Sequence, residues 1–168
     1  WQAAHSRWSG IGIALLGGNG MGCIDIDDCY DANGKLIASD DVRAVINYAI
    51  DAGCYIECSV SGTGLHILGS SVSGFSAIGK FIAGSGPAGF EAYSAKRFLT
   101  MTAQVVANPG GWESIDGVVA MIEQIRRQQP LASERANGTT STVVAFPQLQ
   151  IPAHLAGREI RIDLSLPS

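Results

Sequence analysis

"CIDIDDC" (residues 23–29) sets two aspartates, Asp25 and Asp27, among isoleucines in a stretch that otherwise reads as a buried β-strand. Residues two apart in a strand face the same side, roughly 6.5 to 7 Å apart, so the two carboxylates project together while Ile24 and Ile26 point into a core. Side by side the carboxylates repel one another, and a divalent cation relieves that repulsion most simply. The same alternation also describes a half-exposed strand with a polar outer face, and D-x-D alone does not choose between the two.

On the N-terminal side, "GIGIALLGG" (10–18) is a second β-like run, and the Gly-rich "GGNG" between the two predicts an antiparallel hairpin. On the C-terminal side, "DANGK" (31–35) is a turn. Ser39 or Asp40 then caps a helix with Val42, Val45, Ile46, Ala49 and Ile50 on one face and Gly53 at its end. "CYIECSV" (54–60) and "GLHILGS" (64–70) read as strands around the tight link "SGTG". Residues 71–89 are Gly/Ser-rich and weakly patterned. "GFEAYS" (89–94) and "RFLTMTAQVV" (97–106) predict another strand pair, and "GWESIDGVVAMIEQIRRQQ" (111–129) a helix with Ile115, Val118, Val119, Ile122 and Ile125 on one stripe, stopped by Pro130. "LASERANGTTST" (131–142) is linker-like, and the tail beyond it carries one short strand candidate, "EIRIDL" (159–164). The expected architecture is α/β in the α+β sense: a mostly antiparallel sheet with flanking helices over residues 1–129, followed by a linker or peripheral arm over 130–168.

A chain of 168 residues that is 46% hydrophobic and 15% charged, with 21 glycines, describes one turn-rich globular domain rather than a disordered or coiled-coil protein. No apolar run approaches the roughly 18 to 20 residues that cross a bilayer, and no signal peptide is evident, so a soluble, cytoplasmic protein is expected. The chain begins at Trp1, without a methionine, which suggests a piece of a longer protein. Cys23, Cys29, Cys54 and Cys58 form no C-x-x-C pair and read as reduced core or near-surface thiols, with a structural zinc site as the alternative. A net charge of −4 leaves no global basic footprint, so any grip on nucleic acid must be local or come from absent domains.

Two further stretches carry chemistry. In "SVSGTGLHILG" (59–69), Ser61, Gly62, Thr63 and Gly64 can present backbone N–H groups to an anion, and His66 on the following strand can bond a phosphate oxygen; a plain hairpin turn with a satisfied histidine is the bland reading. In "FEAYSAKRFLTMT" (90–102), Glu91 lies on a strand and Lys96 and Arg97 open the next. A third carboxylate converging on the aspartate pair would complete a two-metal site for in-line phosphoryl displacement, and the Arg97 fork suits a triphosphate or a template backbone. Surface solvation at a hairpin explains Glu91 and Lys96 equally well in isolation.

In this order and spacing, "CIDIDDC", "SGTGLHILG" and "FEAYSAKRFLTMT" resemble the three motifs of the archaeo-eukaryotic primase superfamily, and most closely the primase-polymerase domains of plasmid, phage and prophage replication proteins. "WSGIGIAL" (8–15) and "GGWESIDGVVAMI" (110–122) look similar to that group as well, so the resemblance covers about residues 8 to 127. It implies a catalytic core of RNA-recognition-motif-like topology and a DNA primase and polymerase activity. Asp25 and Asp27 would be ligands of two Mg²⁺ or Mn²⁺ ions, with Glu91 completing the metal set. Ser61 and His66 would contact the incoming dNTP or NTP, helped by the backbone of Gly62, Thr63 and Gly64, and Arg97 would lie near the phosphates or the template. Implied partners are a single-stranded DNA template and primer, with Tyr93 or Phe98 as stacking candidates, and a helicase or accessory domain outside this chain; no membrane is implied. Where the family often has Thr-Gly, this chain has Thr102-Ala103.

Other classes fit less of the sequence. A nucleotide-sugar transferase also uses D-x-D but leaves the S-G-T-G-L-H element and Arg97 without a role. A rolling-circle or relaxase-type nickase needs a histidine cluster, yet His5 and His154 lie in the terminal regions, far from His66. A catalytically inert primase-like module that binds nucleic acid would be expected to have lost at least one of Asp25, Asp27 and Glu91.

Overall fold

The computed structural model describes residues 11–72, 74–84 and 86–128. In chain order these form β1 (Ile11–Leu16), β2 (Met21–Asp27), α1 (Asp40–Asp51), β3 (Tyr55–Cys58), β4 (Leu65–Ser70), β5 (Ile78–Ile82), β6 (Gly89–Tyr93), β7 (Ala95–Met101), β8 (Val105–Ala107) and α2 (Asp116–Gln128). Six strands make one antiparallel sheet in the order β5-β6-β2-β4-β3-β8, and β1 and β7 pair separately as an antiparallel ribbon. The class is α+β, as the sequence led us to expect. Among the described residues no helix is long and apolar enough to cross a membrane. The linker, the tail and "EIRIDL" lie outside the described residues.

The alternation of β2 divides the sheet into two faces. Ile24 and Ile26, with Ile56, Leu65, Ile67, Ile78, Phe90 and Ala92 from neighbouring strands, pack against Val42, Val45, Ile46 and Ala49 of α1 and Val118, Val119, Ile122 and Ile125 of α2. The amphipathic stripes of both helices therefore cover one face. Cys23, Asp25 and Asp27 point to the other. There Leu15 and Leu99 of the ribbon close over Cys23 and Leu68 in a smaller cluster, with Ile13, Met21, Tyr55, Tyr93 and Met101 at its edge. The ribbon thus roofs part of the second face, and the side chains of Asp25 and Glu91 beside it remain only partly exposed.

The local signals for α1 hold. Ser39 is its N-cap, accepting from the Val42 N–H and donating to the Ala83 carbonyl at 2.8 Å, and Gly53 follows the helix with φ +81°. The "DANGK" turn closes on Asp31 Oδ1, which accepts from the N–H groups of Asn33 and Lys35 at 2.9 Å each.

Several expectations are corrected. The first two strands do not pair with each other. Both edges of β2 are filled by β4 and β6, and the link of Gly17, Gly18 and Gly20, all at positive φ, carries β1 out of that sheet to pair with β7. Nor do β6 and β7 form a hairpin: Ser94 alone separates them, too short for a two-residue turn, and the chain leaves the sheet at a corner where Lys96 has φ 55°. The stretch 97–106 is two strands, broken at Thr102–Ala103. The weakly patterned 71–89 contains β5, an edge strand. The second helix begins at Asp116 rather than at 111, because Ser114 Oγ accepts from the Asp116 N–H and Ser70 and Ser114 bridge as neighbouring backbone.

At the β7–β8 corner Ala103 has φ 56°, a left-handed conformation that costs an L-residue about 1–2 kcal/mol. Ala103→Gly is expected to raise stability by about 0.5–1 kcal/mol after allowing for the greater unfolded entropy of glycine. Thermal melting checks this as a rise of about 2–4 °C.

Candidate functional site

Strand register brings the three sequence motifs into one row. Asp25 on β2 is the direct partner of Glu91 on β6 and of His66 on β4, and His66 in turn faces Glu57 on β3. Direct partners share a face, so Glu91, Asp25, His66 and Glu57 stand side by side across four strands spaced about 4.8 Å apart. Asp27 follows on the same face at the end of β2. The next residue, Asp28, has φ 52°, and this turn lets the Tyr30 N–H donate to the Thr63 carbonyl at 3.0 Å. The S-G-T-G turn is thereby fastened against the end of β2.

Gly64 is required by that approach. A Cβ there would stand 2.6 Å from the Ile26 carbonyl oxygen, 2.9 Å from Ser59 Oγ and 3.5 Å from Asp27 Cα. Within the turn Gly62 has φ +75°, and its N–H donates to the Ser59 carbonyl at 3.0 Å. Ser61 Oγ meets Ser59 Oγ at 2.9 Å and Thr63 Oγ1 at 3.0 Å, and accepts from the Thr63 N–H at 3.3 Å. The N–H groups of Gly62 and Thr63 are thus engaged inside the turn. The hydroxyls of Ser59, Ser61 and Thr63 form a cluster on the turn.

Each acid has its own surroundings. The Asp25 carboxyl is raised above its ordinary range, first by burial and then by the charge of Asp27, with Glu91 adding to the rise and His66 and Arg97 opposing it. Asp27 Oδ2 accepts from Lys80 Nζ at 2.6 Å. Lys80 reaches it from β5 by passing over β6 at Gly89, the partner of Asp27, where a Cβ would stand 3.3 Å from Lys80 Cε. The bond to Asp27 raises the Lys80 ammonium above its ordinary range. Glu91 Oε2 accepts from Tyr93 OH at 2.6 Å and from Arg97 Nη2 at 3.2 Å, and the Arg97 guanidinium lies 4.5 Å from the centre of the Tyr93 ring. Arg97 is aimed at Glu91 because the corner after β6 folds β7 back over the sheet.

The two aromatic stacking candidates are placed differently. One face of Tyr93 is taken by Arg97. Phe98, next to Arg97 in the ribbon, points to the opposite side, where its ring lies over Gly12, and it is 65% exposed. Lys96 turns the chain at the corner and Arg97 makes the contacts. Cys23, Cys29 and Cys54 are buried free thiols and Cys58 is a partly exposed one.

Two site residues were not foreseen from the sequence. Lys80 lies in the stretch without a pattern. Glu57 reads as an outward-facing strand residue, yet it is fully buried beneath the β7–β8 corner and bonded to His66. The tight hairpin could have revealed it, since a turn that sets Cys58 opposite Leu65 sets Glu57 opposite His66.

Among the described residues no group of three or more His, Cys, Asp or Glu side chains is arranged to hold a metal ion. The donor types nonetheless suit a hard divalent cation. Asp25, Asp27 and Glu91 offer carboxylate oxygens on one face, and the Asp25 carboxyl is raised first by burial and second by the charge of Asp27, a repulsion that a cation would relieve. Mg²⁺ in particular is usually held by one or two carboxylates together with substrate phosphates rather than by an all-protein cage.

No model of a known protein family matches the chain, and no curated protein matches it.

Proposed function

We propose that the chain is the catalytic core of a DNA primase-polymerase, performing template-directed nucleotidyl transfer in the replication of a mobile element. The observation that carries this reading is the row Glu91–Asp25–His66, in which residues from three separate motifs are direct strand partners on one face, with His66 itself buried and Asp25 and Glu91 only partly exposed. A chance polar surface has no reason to gather an acid from each of two motifs and the histidine of a third beside a hydroxyl-rich turn. The motif order and spacing shared with primase-polymerase domains support the same reading. So does the central order β6-β2-β4-β3, in which the first and third strands of the unit lie inside and the second and fourth flank them, with α1 crossing from first to second. An RNA-recognition-motif-like core has this arrangement, except that here β5 rather than a helix links the third strand to the fourth.

In this reading Asp25, Asp27 and Glu91 hold two Mg²⁺ or Mn²⁺ ions, which when bound would lower the barrier to attack of a 3′-hydroxyl on an α-phosphate and stabilise the leaving pyrophosphate. The protein otherwise positions and neutralises. His66 Nε2 and the hydroxyls of Ser61 and Thr63 border the place where the triphosphate of a dNTP or NTP would lie. Arg97 and Lys80 give up carboxylate partners to phosphate oxygens as the charge there grows. Single-stranded DNA template and primer would run along this face of the sheet, and a helicase or accessory domain would complete the replication protein.

The ion pairs Asp27–Lys80 and Glu91–Arg97 also allow a second reading, a primase-like module that binds nucleic acid without catalysis, since both acids are already neutralised within the chain. Extension of a labelled primer on a single-stranded template, with Mg²⁺ or Mn²⁺, separates the two. Metal-dependent extension that disappears in an Asp25→Asn/Asp27→Asn double variant is expected. Metal-independent DNA binding without extension, equal in both proteins, would favour the inert module.

A further inference from the structure

Glu57 has no part in the reading above, and packing does not explain it. It occupies the middle of β3 at 0% exposure, where an uncompensated carboxylate costs several kcal/mol. Two donors meet each of its oxygens. Oε1 takes the Thr102 N–H at 3.1 Å and His66 Nδ1 at 3.1 Å; Oε2 takes the Tyr55 hydroxyl at 3.0 Å and the Ala103 N–H at 2.9 Å. Burial first, and then the bond to Glu57, pushes the Tyr55 phenol up to about 12. An ionised carboxylate only accepts. With the Thr102 and Ala103 N–H groups and the Tyr55 hydroxyl already donating to the carboxylate, a proton on the ring nitrogen supplies the fourth donor.

We propose that Glu57 is the positioning residue of His66: it holds the ring by Nδ1–H, so that Nε2 is the nitrogen turned toward the acids of the site, 4.0 Å from Asp25 Oδ1. This is the arrangement by which a carboxylate behind a site histidine fixes tautomer and ring plane. The inference rests on the nucleotidyl-transfer reading only for the identity of what Nε2 meets, a triphosphate. The place of the proton stands independently of it. The same carboxylate grips both N–H groups of the β7–β8 corner, so the histidine is registered to the backbone of two strands at once. A tyrosine and two main-chain groups hold Glu57 still, and Glu57 holds His66.

The test is a long-range ¹H–¹⁵N correlation spectrum of the full chain labelled with ¹⁵N, with the His66 signals identified by their loss in His66→Asn. A proton on Nδ1 is expected in the native protein. In Glu57→Gln that preference should be lost, and the affinity for a nucleoside triphosphate with Mn²⁺, read by calorimetry, should fall about 10- to 100-fold. His66 found with its proton on Nε2 alone in the native protein would overturn the inference. So would a Glu57→Gln chain with an unchanged His66 spectrum and unchanged triphosphate affinity. If Glu57→Gln does not fold, Glu57→Asp replaces it, keeping the charge while withdrawing the acceptor by one methylene, and the same two outcomes decide. A native chain that shows Nδ1–H but binds no triphosphate with Mn²⁺ would sink the nucleotidyl-transfer reading and leave the role of Glu57 upheld by the spectra.

Discussion

Asp25→Asn is expected to abolish nucleotidyl transfer and, at the same time, to make the metal-free protein melt at a higher temperature. In the proposed reaction, loss of a carboxylate that would hold the catalytic cations should remove about 4 kcal/mol of transition-state stabilisation, a fall of about 1000-fold in rate. The gain in stability has a separate cause. Burial, first, and the charge of Asp27, second, raise the Asp25 carboxyl above its ordinary value of 3.8. A carboxyl raised in the folded state binds its proton more tightly there than in the unfolded chain. Its ionisation therefore costs stability as pH rises from 3.8 through the raised folded value, and the full cost is present above that value. Asparagine carries no such charge. The melting difference between variant and native protein should thus be positive at neutral pH and shrink to nothing below the ordinary carboxyl range, where both folded and unfolded Asp25 are protonated. Melting curves across pH, with extension assays on the same samples, check both halves. A site that trades stability for charge concentration behaves in this way, whereas a solvated surface strand would show neither effect.

Glu57→Ala is expected to be the most destabilising single change on the site face, costing at least about 3 kcal/mol. The substitution strips partners from the N–H groups of Thr102 and Ala103, the Tyr55 hydroxyl and His66 Nδ1, all beneath the β7–β8 corner. Each buried donor left without an acceptor costs about 1–3 kcal/mol, and water entering the new space would recover only part of the total. Urea unfolding measures it. A loss below about 1 kcal/mol would mean that the corner and the histidine hold without the carboxylate.

Much of this architecture is written locally. The period-2 alternation of β2, the Ser39 cap and Gly53 stop of α1, and the S-G-T-G hairpin between β3 and β4 are signals carried within a few residues, and each appears where its sequence says. What failed was pairing at a distance. β1 was expected beside β2 because a Gly-rich link invites a hairpin, yet β4 and β6 occupy both edges of β2 and β1 pairs with β7, some eighty residues away in the chain. The break at Thr102–Ala103 was hidden because Ala103 gives no hint of a left-handed turn; the structure makes that conformation worthwhile by offering both N–H groups to Glu57. The candidate site was legible in Asp25, Asp27, His66, Glu91 and Arg97 because acids and a histidine between apolar strand residues stand out. Lys80 and Glu57 were hidden, one by an unpatterned stretch and the other by an alternation that implied exposure, and only the packing of distant elements brings them in.

The central claim is that the Asp25 face is a site for divalent cations and a triphosphate together. Mn²⁺ binding followed by electron paramagnetic resonance, with and without a nucleoside triphosphate, in the native chain and in Asp25→Asn, tests it most directly. We expect Mn²⁺ to bind the native protein more tightly when the triphosphate is present, and the variant to lose most of that binding. Native and variant chains that bind Mn²⁺ equally weakly, with no gain from the triphosphate, would contradict the claim.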